Sequence, residues 1–309
     1  MIYTCTLNPS IDYLIQADRI ELGSLNRATH VSFFPGGKGI NVSRVLSNLG
    51  INSTALGYLG GFTGDFIQNQ LSAEGISHDF IRVEQPTRIN VKLKTKVETE
   101  INGVGSDIPA IKKDELLQRF NKFTPDDYVV LAGSLPSSVS TDFYEALANH
   151  CKKNCIHLII DTSGNSLEKL LQYQPFLVKP NHHEIGELLN KELTSLEEIV
   201  AAGKELLKKG PKNIIVSMGG DGAVFVNNEI TAYATVPKGD VVSTVGSGDS
   251  TVAGFLAEYV NSKDYLKAFQ YGVASGTATA FSNDLCKKAD VEDILTKVQI
   301  DVLDRRITS

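Results

Sequence analysis

From residue 128 to residue 217 short apolar runs alternate with amphipathic stretches. Residues 128–132, 157–161, 176–179 and 213–217 read as buried strands, while 141–152, 166–171, 182–190 and 196–208 carry apolar side chains at helical spacing. Strands that recur with a helix between them imply βαβ units, hence a mostly parallel sheet covered by helices on both faces. Residues 2–7 and 53–59 add strands ahead of this region, and 39–49 and 65–74 add helices that stop at Gly50 and Gly75. Beyond it, 223–226 and 230–236 read as a hairpin, with closing helices at 249–260 and 263–281. The expected architecture is a three-layer α/β/α sandwich.

One stretch has a different period. Ile89, Val91, Leu93, Thr95 and Val97 alternate with Asn90, Lys92, Lys94, Lys96 and Glu98, the signature of a strand with one apolar and one polar face. With 13–20 and 28–34, and a glycine-containing return turn at 99–105, it forms a small sheet inserted into the α/β body. Ile89, Val91, Leu93 and Val97 make a face too apolar to leave in water on a sheet without a second layer. Two copies packed face to face would bury it, so the expectation is a homodimer through these sheets; packing onto the chain's own body is the alternative. Lys94 and Lys96 are expected to be solvated.

Composition narrows the function. The 309 residues are 42% hydrophobic and 21% charged, close to soluble globular averages, which disfavours disorder, collagen and coiled coil. With no repeat or linker, a single domain over 1–309 is expected, its inserted segments near 12–34 and 87–105. A net charge of −6 argues against nucleic acid as partner. Cys5, Cys151, Cys155 and Cys286 have neither disulfide-framework nor zinc spacing, and are expected to be core thiols in a reducing compartment. No apolar run approaches the roughly 18 residues that span a bilayer, and Asn8, Pro9 and Asp12 interrupt any signal-peptide core. A cytoplasmic protein without membrane contact is expected.

Four motifs carry chemistry. Gly36-Gly37-Lys38-Gly39-Ile40-Asn41 lacks the outlying glycine and the Ser or Thr of a P-loop, but still leads into a helix N-terminus that favours an anion. Thr244-Val245-Gly246-Ser247-Gly248-Asp249 precedes another helix, with Thr251 where a dinucleotide fingerprint needs its third glycine. Its backbone N–H groups suit charge developing on a phosphate, while Asp249 could also be an ordinary helix cap. Lys179-Pro180-Asn181-His182-His183-Glu184 follows a strand, and Asn181 with Glu184 could be a capping box or could lie near magnesium-bound phosphates. Ser217-Met218-Gly219-Gly220-Asp221-Gly222 ends another strand, where open parallel sheets place ligands.

These motifs, in this order and across nearly the whole chain, resemble those of the PfkB family of ribokinase-like sugar kinases. Thr6 to Asp12 and Gly133-Ser134-Leu135-Pro136 resemble its phosphosugar branch, and Thr87 to Leu93 resembles the kinases acting on fructose 1-phosphate. The resemblance implies ATP-dependent phosphorylation of fructose 1-phosphate at O6, with tagatose 6-phosphate or fructose 6-phosphate as alternative substrates. Asp249 is then the base for the sugar hydroxyl, with an anion hole made by the N–H groups of Gly246, Ser247, Gly248 and Asp249. Asp12, Gly37 and Asn41 match positions that hold sugar hydroxyls. Arg27, Lys38, Arg88 and Ser134 are candidates for the existing phosphate, and Arg88 shares strand parity with Asn90 and Lys92. Lys179, Asn181 and Glu184 would face ATP and Mg²⁺, Glu184 through water, while Ser217, Gly219 and Gly222 would line the nucleotide cleft. Ser243, Val245 and Asn283 would flank a monovalent cation such as K⁺. Asp249 is expected to have an ordinary carboxylate pKa, and the inserted sheet to act as a lid. A catalytically silent sugar-phosphate binder is disfavoured, because it would need no base.

Overall fold

The computed structural model describes residues 1–305. Its strands are β1 (Ile2–Thr6), β2 (Ser10–Gln16), β3 (His30–Gly36), β4 (Ser53–Gly60), β5 (Ser77–Val83), β6 (Arg88–Lys94), β7 (Glu98–Asn102), β8 (Tyr128–Ala132), β9 (His157–Asp161), β10 (Leu177–Val178), β11 (Asn213–Ser217), β12 (Ala223–Asn227), β13 (Ile230–Ala234) and β14 (Ile300–Arg305). Its helices are α1 (Lys38–Asn48), α2 (Gly61–Ala73), α3 (Ala110–Phe120), α4 (Thr141–Lys153), α5 (Gly164–Leu171), α6 (His182–Leu189), α7 (Leu196–Leu207), α8 (Ser247–Ser262), α9 (Tyr265–Ala280) and α10 (Lys288–Leu295).

Ten strands form one sheet in the order β14-β13-β12-β11-β10-β9-β8-β1-β4-β5. It is parallel from β5 to β11 and antiparallel from β11 to β14. On one face Leu116, Phe120, Tyr144, Leu147, Leu170, Ile185 and Leu206 of α3 to α7 pack against Leu131, Ile160 and Val216. On the other, Val42 and Leu46 of α1 join Phe255 of α8, Phe269 of α9 and Val291 of α10 over Val130, Ile159 and Phe225. Each such side chain, removed from water, contributes about 1.5–3 kcal/mol. The three layers follow from strands that are apolar on both sides.

The second sheet has four strands in the order β3-β2-β6-β7. β2 and β6 are parallel and share the row Tyr13 opposite Val91, with Phe33 and Ile101 on the flanking antiparallel strands. Two sequence expectations are corrected here. Residues 98–102 form a fourth strand, so the turn lies at 95–97, and Val97 sits in that turn at 72% exposure instead of on the apolar face. Cys155 is exposed at the end of α4 with a positive φ of 55°, whereas Cys5, Cys151 and Cys286 are buried as expected. No helix among the described residues is long and apolar enough to cross a membrane.

Candidate active site

The carboxyl ends of β1, β9, β10 and β11 converge with the N-termini of α1 and α8, and two cavities open there. The first, about 510 Å³, lies under the small sheet and is lined by Asp12, Gly37, Lys38, Asn41, Arg88, Ser134, Gly246 and Asp249. The second, about 540 Å³, is lined by Ser217, Gly219, Gly222, Val236, Thr277 and Phe281. Thr244 and Gly248 line both. The turn into α8 is therefore the partition between them.

Gly246 enters that turn at φ 80°, in the left-handed region that favours glycine. A side chain there would also strike Leu285, whose Cδ2 lies 2.6 Å from where a Cβ would stand. The Ser247 N–H is spent on the Thr244 carbonyl at 3.3 Å. Gly248 and Asp249 are the next helical residues, and their N–H groups have no acceptor within the helix. At Gly248 a Cβ would lie 2.9 Å from Lys179 Nζ, so a larger residue would displace that ammonium.

Asp249 is buried behind this turn, and the Asn41 amide donates to its Oδ2 at 2.8 Å. The charge that opposes its ionisation is that of Asp161, at the end of β9. Lys38 Nζ donates to Asp161 Oδ1 at 3.2 Å and Lys179 Nζ lies 3.5 Å from the same oxygen. Burial opposes ionisation of Asp161, but Lys179 and Lys38 outweigh it and hold this carboxyl below the ordinary range. Asp249 moves the other way. Burial first, then the charge on Asp161, raise it to about 7 against the pull of Lys38, Asn41 and Lys179. The ordinary pKa expected from the sequence is thus corrected, because the carboxyl is buried and Asp161 draws both lysines. Two adjacent carboxyls thus have pKa values driven apart, with Asp249 the one placed to exchange a proton near neutrality.

Under the small sheet, Asp12 Oδ1 accepts from Ser10 Oγ at 2.8 Å and from Asn90 Nδ2 at 3.2 Å, while Lys92 lies 3.6 Å from Oδ2. Arg88 donates to the carbonyls of Asn8 and Gly103, and its buried Nε has no partner among the described residues. Asn8 in turn donates to Ser134 Oγ. Arg88, Asn8 and Ser134 make a cationic, donor-rich corner. Arg27 does not join it: it is exposed on the segment between β2 and β3 and lines neither cavity, a departure from the sequence expectation. Lys94 also departs, since it reaches the body and donates to the Val242 carbonyl at 3.1 Å instead of standing in solvent.

Asn181 and Glu184 form a reciprocal capping box at α6, both bonds 2.8 Å long. The capping reading of these two residues is thus correct, and it leaves Glu184 close enough for its charge to act on Lys38. Among the described residues no three acidic, His or Cys side chains are grouped to hold a metal ion. The donors present at the junction are oxygens, including the buried Asp161 Oδ2, which lacks a partner. Such a set fits a hard cation that completes its shell with water and phosphate oxygens. Ser243, Val245 and Asn283 line a further cavity of about 420 Å³ that adjoins the first under the small sheet and shares Asp12, Asn41 and Gly246 with it.

Asp161 is a site residue that the motifs do not contain, while Asn8 and Ser10 lie within the Thr6 to Asp12 stretch without having been given a role. The signal for Asp161 was its place at the carboxyl end of a buried parallel strand, just before Thr162-Ser163-Gly164.

Comparison with known proteins agrees with this geometry. The pfkB family carbohydrate kinase model matches residues 6–290. The chain is 47% identical over 300 residues to a 1-phosphofructokinase of Bacillus subtilis (strain 168), covering 97% of this chain and 99% of that one. It is 36% identical over 301 residues to a D-tagatose-1-phosphate kinase of Bacillus licheniformis, covering 97% and 99%. Its backbone matches that of phosphofructokinase-2 from Escherichia coli in complex with substrates and products with a TM-score of 0.92, at 30% identity and covering 96% and 98%.

Proposed function

The chain belongs to the pfkB family of carbohydrate kinases, and we propose that it transfers the γ-phosphoryl group of ATP to O6 of fructose 1-phosphate, giving fructose 1,6-bisphosphate. The observation that carries this reading is the partition: one turn, with free N–H groups and a buried raised carboxyl, separates a donor-rich cavity from a largely apolar one.

The sugar phosphate occupies the cavity under the lid. Arg88, Ser134 and Lys38 take its existing phosphate, Arg88 as the charged donor that lines this corner. Asp12, Gly37 and Asn41 hold hydroxyls, with Asp12 itself fixed by Ser10 and Asn90. Asp249 accepts the proton of O6 as the oxygen attacks. The phosphoryl passes across the turn, where the N–H groups of Gly248 and Asp249 and the ammonium of Lys179 meet the charge on its equatorial oxygens. Ser217, Gly219 and Gly222 line the nucleotide cleft, and Lys179, Asn181 and Glu184 stand toward its phosphates. Mg²⁺, when bound, supplies further positive charge there, held by Glu184 through water and by ATP itself. A monovalent cation such as K⁺ fits beside Ser243, Val245 and Asn283. Lid closure would exclude water that could otherwise take the phosphoryl group.

The same corner would grip a phosphate at either end of a ketohexose, so geometry alone also admits tagatose 6-phosphate or fructose 6-phosphate. The higher identity to a 1-phosphofructokinase favours fructose 1-phosphate. Purified enzyme assayed with ATP and each sugar phosphate should prefer fructose 1-phosphate by at least about tenfold in kcat/KM, roughly 1.4 kcal/mol of transition-state binding. A preference for tagatose 6-phosphate would remove the substrate assignment.

The lid supports a homodimer. Phe33 at 50% and Ile101 at 58% exposure share one face with Tyr13 and Val91. A second copy with the same face is the natural cover. The use of ATP and the cysteines, all free, fit a cytoplasmic setting.

A further inference from the structure

The turn that forms the partition rests on a floor, and one arginine that lines neither the sugar nor the nucleotide cavity grips the open edge of that floor. Residues 281–287, between α9 and α10, contain no regular structure, and Leu285 seats directly beneath Gly246. Leu285 and Cys286 are buried in the core, and the Cys286 backbone is bonded by Thr279 and Asn48, but on the side facing the lid the segment borders the 420 Å³ cavity. Arg44 ties down that open edge. Its Nη1 and Nη2 donate to the two oxygens of Asp284 at 3.3 and 2.9 Å, and its Nε donates to Glu74 at the end of α2 at 2.9 Å. Arg44 is only 8% exposed.

A buried arginine shared by two carboxylates is a poor way to gain stability, because desolvation consumes most of the attraction. Its planar fork is a good way to fix geometry. The place of Arg44 gives that geometry a use. It stands three residues after Asn41 on α1, hence on the same side of the helix. Asn41 holds the Asp249 carboxylate from above the turn, and Arg44 holds the floor under Gly246. One rigid helix thus sets both sides of the anion hole.

We propose that Arg44 is a positioning residue for phosphoryl transfer, its grip on Asp284 setting Leu285 under Gly246 and so aiming the free N–H groups at the start of α8. This inference rests on the anion-hole reading given above.

The test compares Arg44→Lys, Asp284→Asn and Glu74→Gln by steady-state kinetics and thermal midpoint. Asp284 and Glu74 are both partly exposed ends of the clamp, so each variant should fold. Arg44→Lys and Asp284→Asn should lower kcat about tenfold or more, with both KM values within about twofold, while Glu74→Gln keeps kcat within about twofold despite a similar fall in midpoint. Normal kcat in Asp284→Asn and Arg44→Lys, or an equal loss in Glu74→Gln, would reduce Arg44 to a structural tie and overturn the proposal. Asp249→Asn is the companion control. If it is inactive while Asp284→Asn is normal, only this inference fails; if it retains full turnover, the anion-hole reading falls and takes the inference with it.

Discussion

Asn41 and Asp249 stand 208 residues apart in the chain, yet the amide of one donates to the carboxylate of the other at 2.8 Å. That bond joins the N-terminus of α1 to that of α8 and engages Oδ2 of Asp249, leaving Oδ1 as the oxygen that the proposed mechanism uses. It also favours the ionised form of a carboxyl that burial and Asp161 push toward the neutral one.

The pH dependence follows from that opposition. The base must be ionised, so kcat/KM should fall as the pH drops below an apparent value near 7, which belongs to the Asp161–Asp249 pair. Asp161→Asn removes the charge that raises Asp249 and frees both lysines to attract it. Its acid limb should therefore move to lower pH, whatever happens to the maximal rate. A limb that stays in place or moves up would show that Asp161 does not tune the base.

Gly248 separates rate from stability. In Gly248→Ala the new methyl would stand 2.9 Å from Lys179 Nζ, a flexible end that can move aside. The thermal midpoint should change little, by the equivalent of about 1 kcal/mol or less, because no backbone is displaced. Turnover should fall at least about tenfold, since the ammonium leaves the path of the phosphoryl group. Unchanged turnover would remove Lys179 from the mechanism.

Arg88→Ala tests the phosphate corner. Losing a charge-assisted contact costs about 1.5–3 kcal/mol, roughly ten- to a hundredfold. It should appear in KM for the sugar phosphate and hardly at all in KM for ATP. Equal effects on both would mean that Arg88 serves the fold through the Asn8 and Gly103 carbonyls.

The lid face predicts association. Ile101→Asp puts a charge on an exposed strand position, so the monomer fold should be unaffected. Light scattering at micromolar concentration should show a dimer for the native chain and a monomer for this variant. A native monomer, or a dimer untouched by Ile101→Asp, would exclude the lid interface.

How far the sequence alone reached can be traced to particular elements. The central strands and α1, α4, α7, α8 and α9 were legible because each buries a full apolar face. β5 was not, since His78, Asp79 and Arg82 interrupt its apolar residues at the sheet edge, and β14 is an edge strand exposed along most of its length. In α3 only Leu116 and Phe120 are buried, too few to stand out as a stripe. At the site, the glycine turns were legible because backbone geometry demands glycine there, whereas the role expected of Asp249 came from the resemblance, since its place at a helix start fits a cap as well. Asp161 and Arg44 were not, because a lone acid after a strand and an arginine within a helix acquire meaning only from partners far along the chain. Lys94 was read as a solvated face for the same reason: Val242 lies 148 residues away.

The most direct test is the turnover of Asp249→Asn with ATP and fructose 1-phosphate, alongside calorimetric binding of the sugar phosphate. The side chain keeps its shape and loses its basicity, so kcat should fall by at least about 10²-fold while sugar affinity stays largely intact. Turnover within a few-fold of the native enzyme would contradict the assignment of Asp249 as the base.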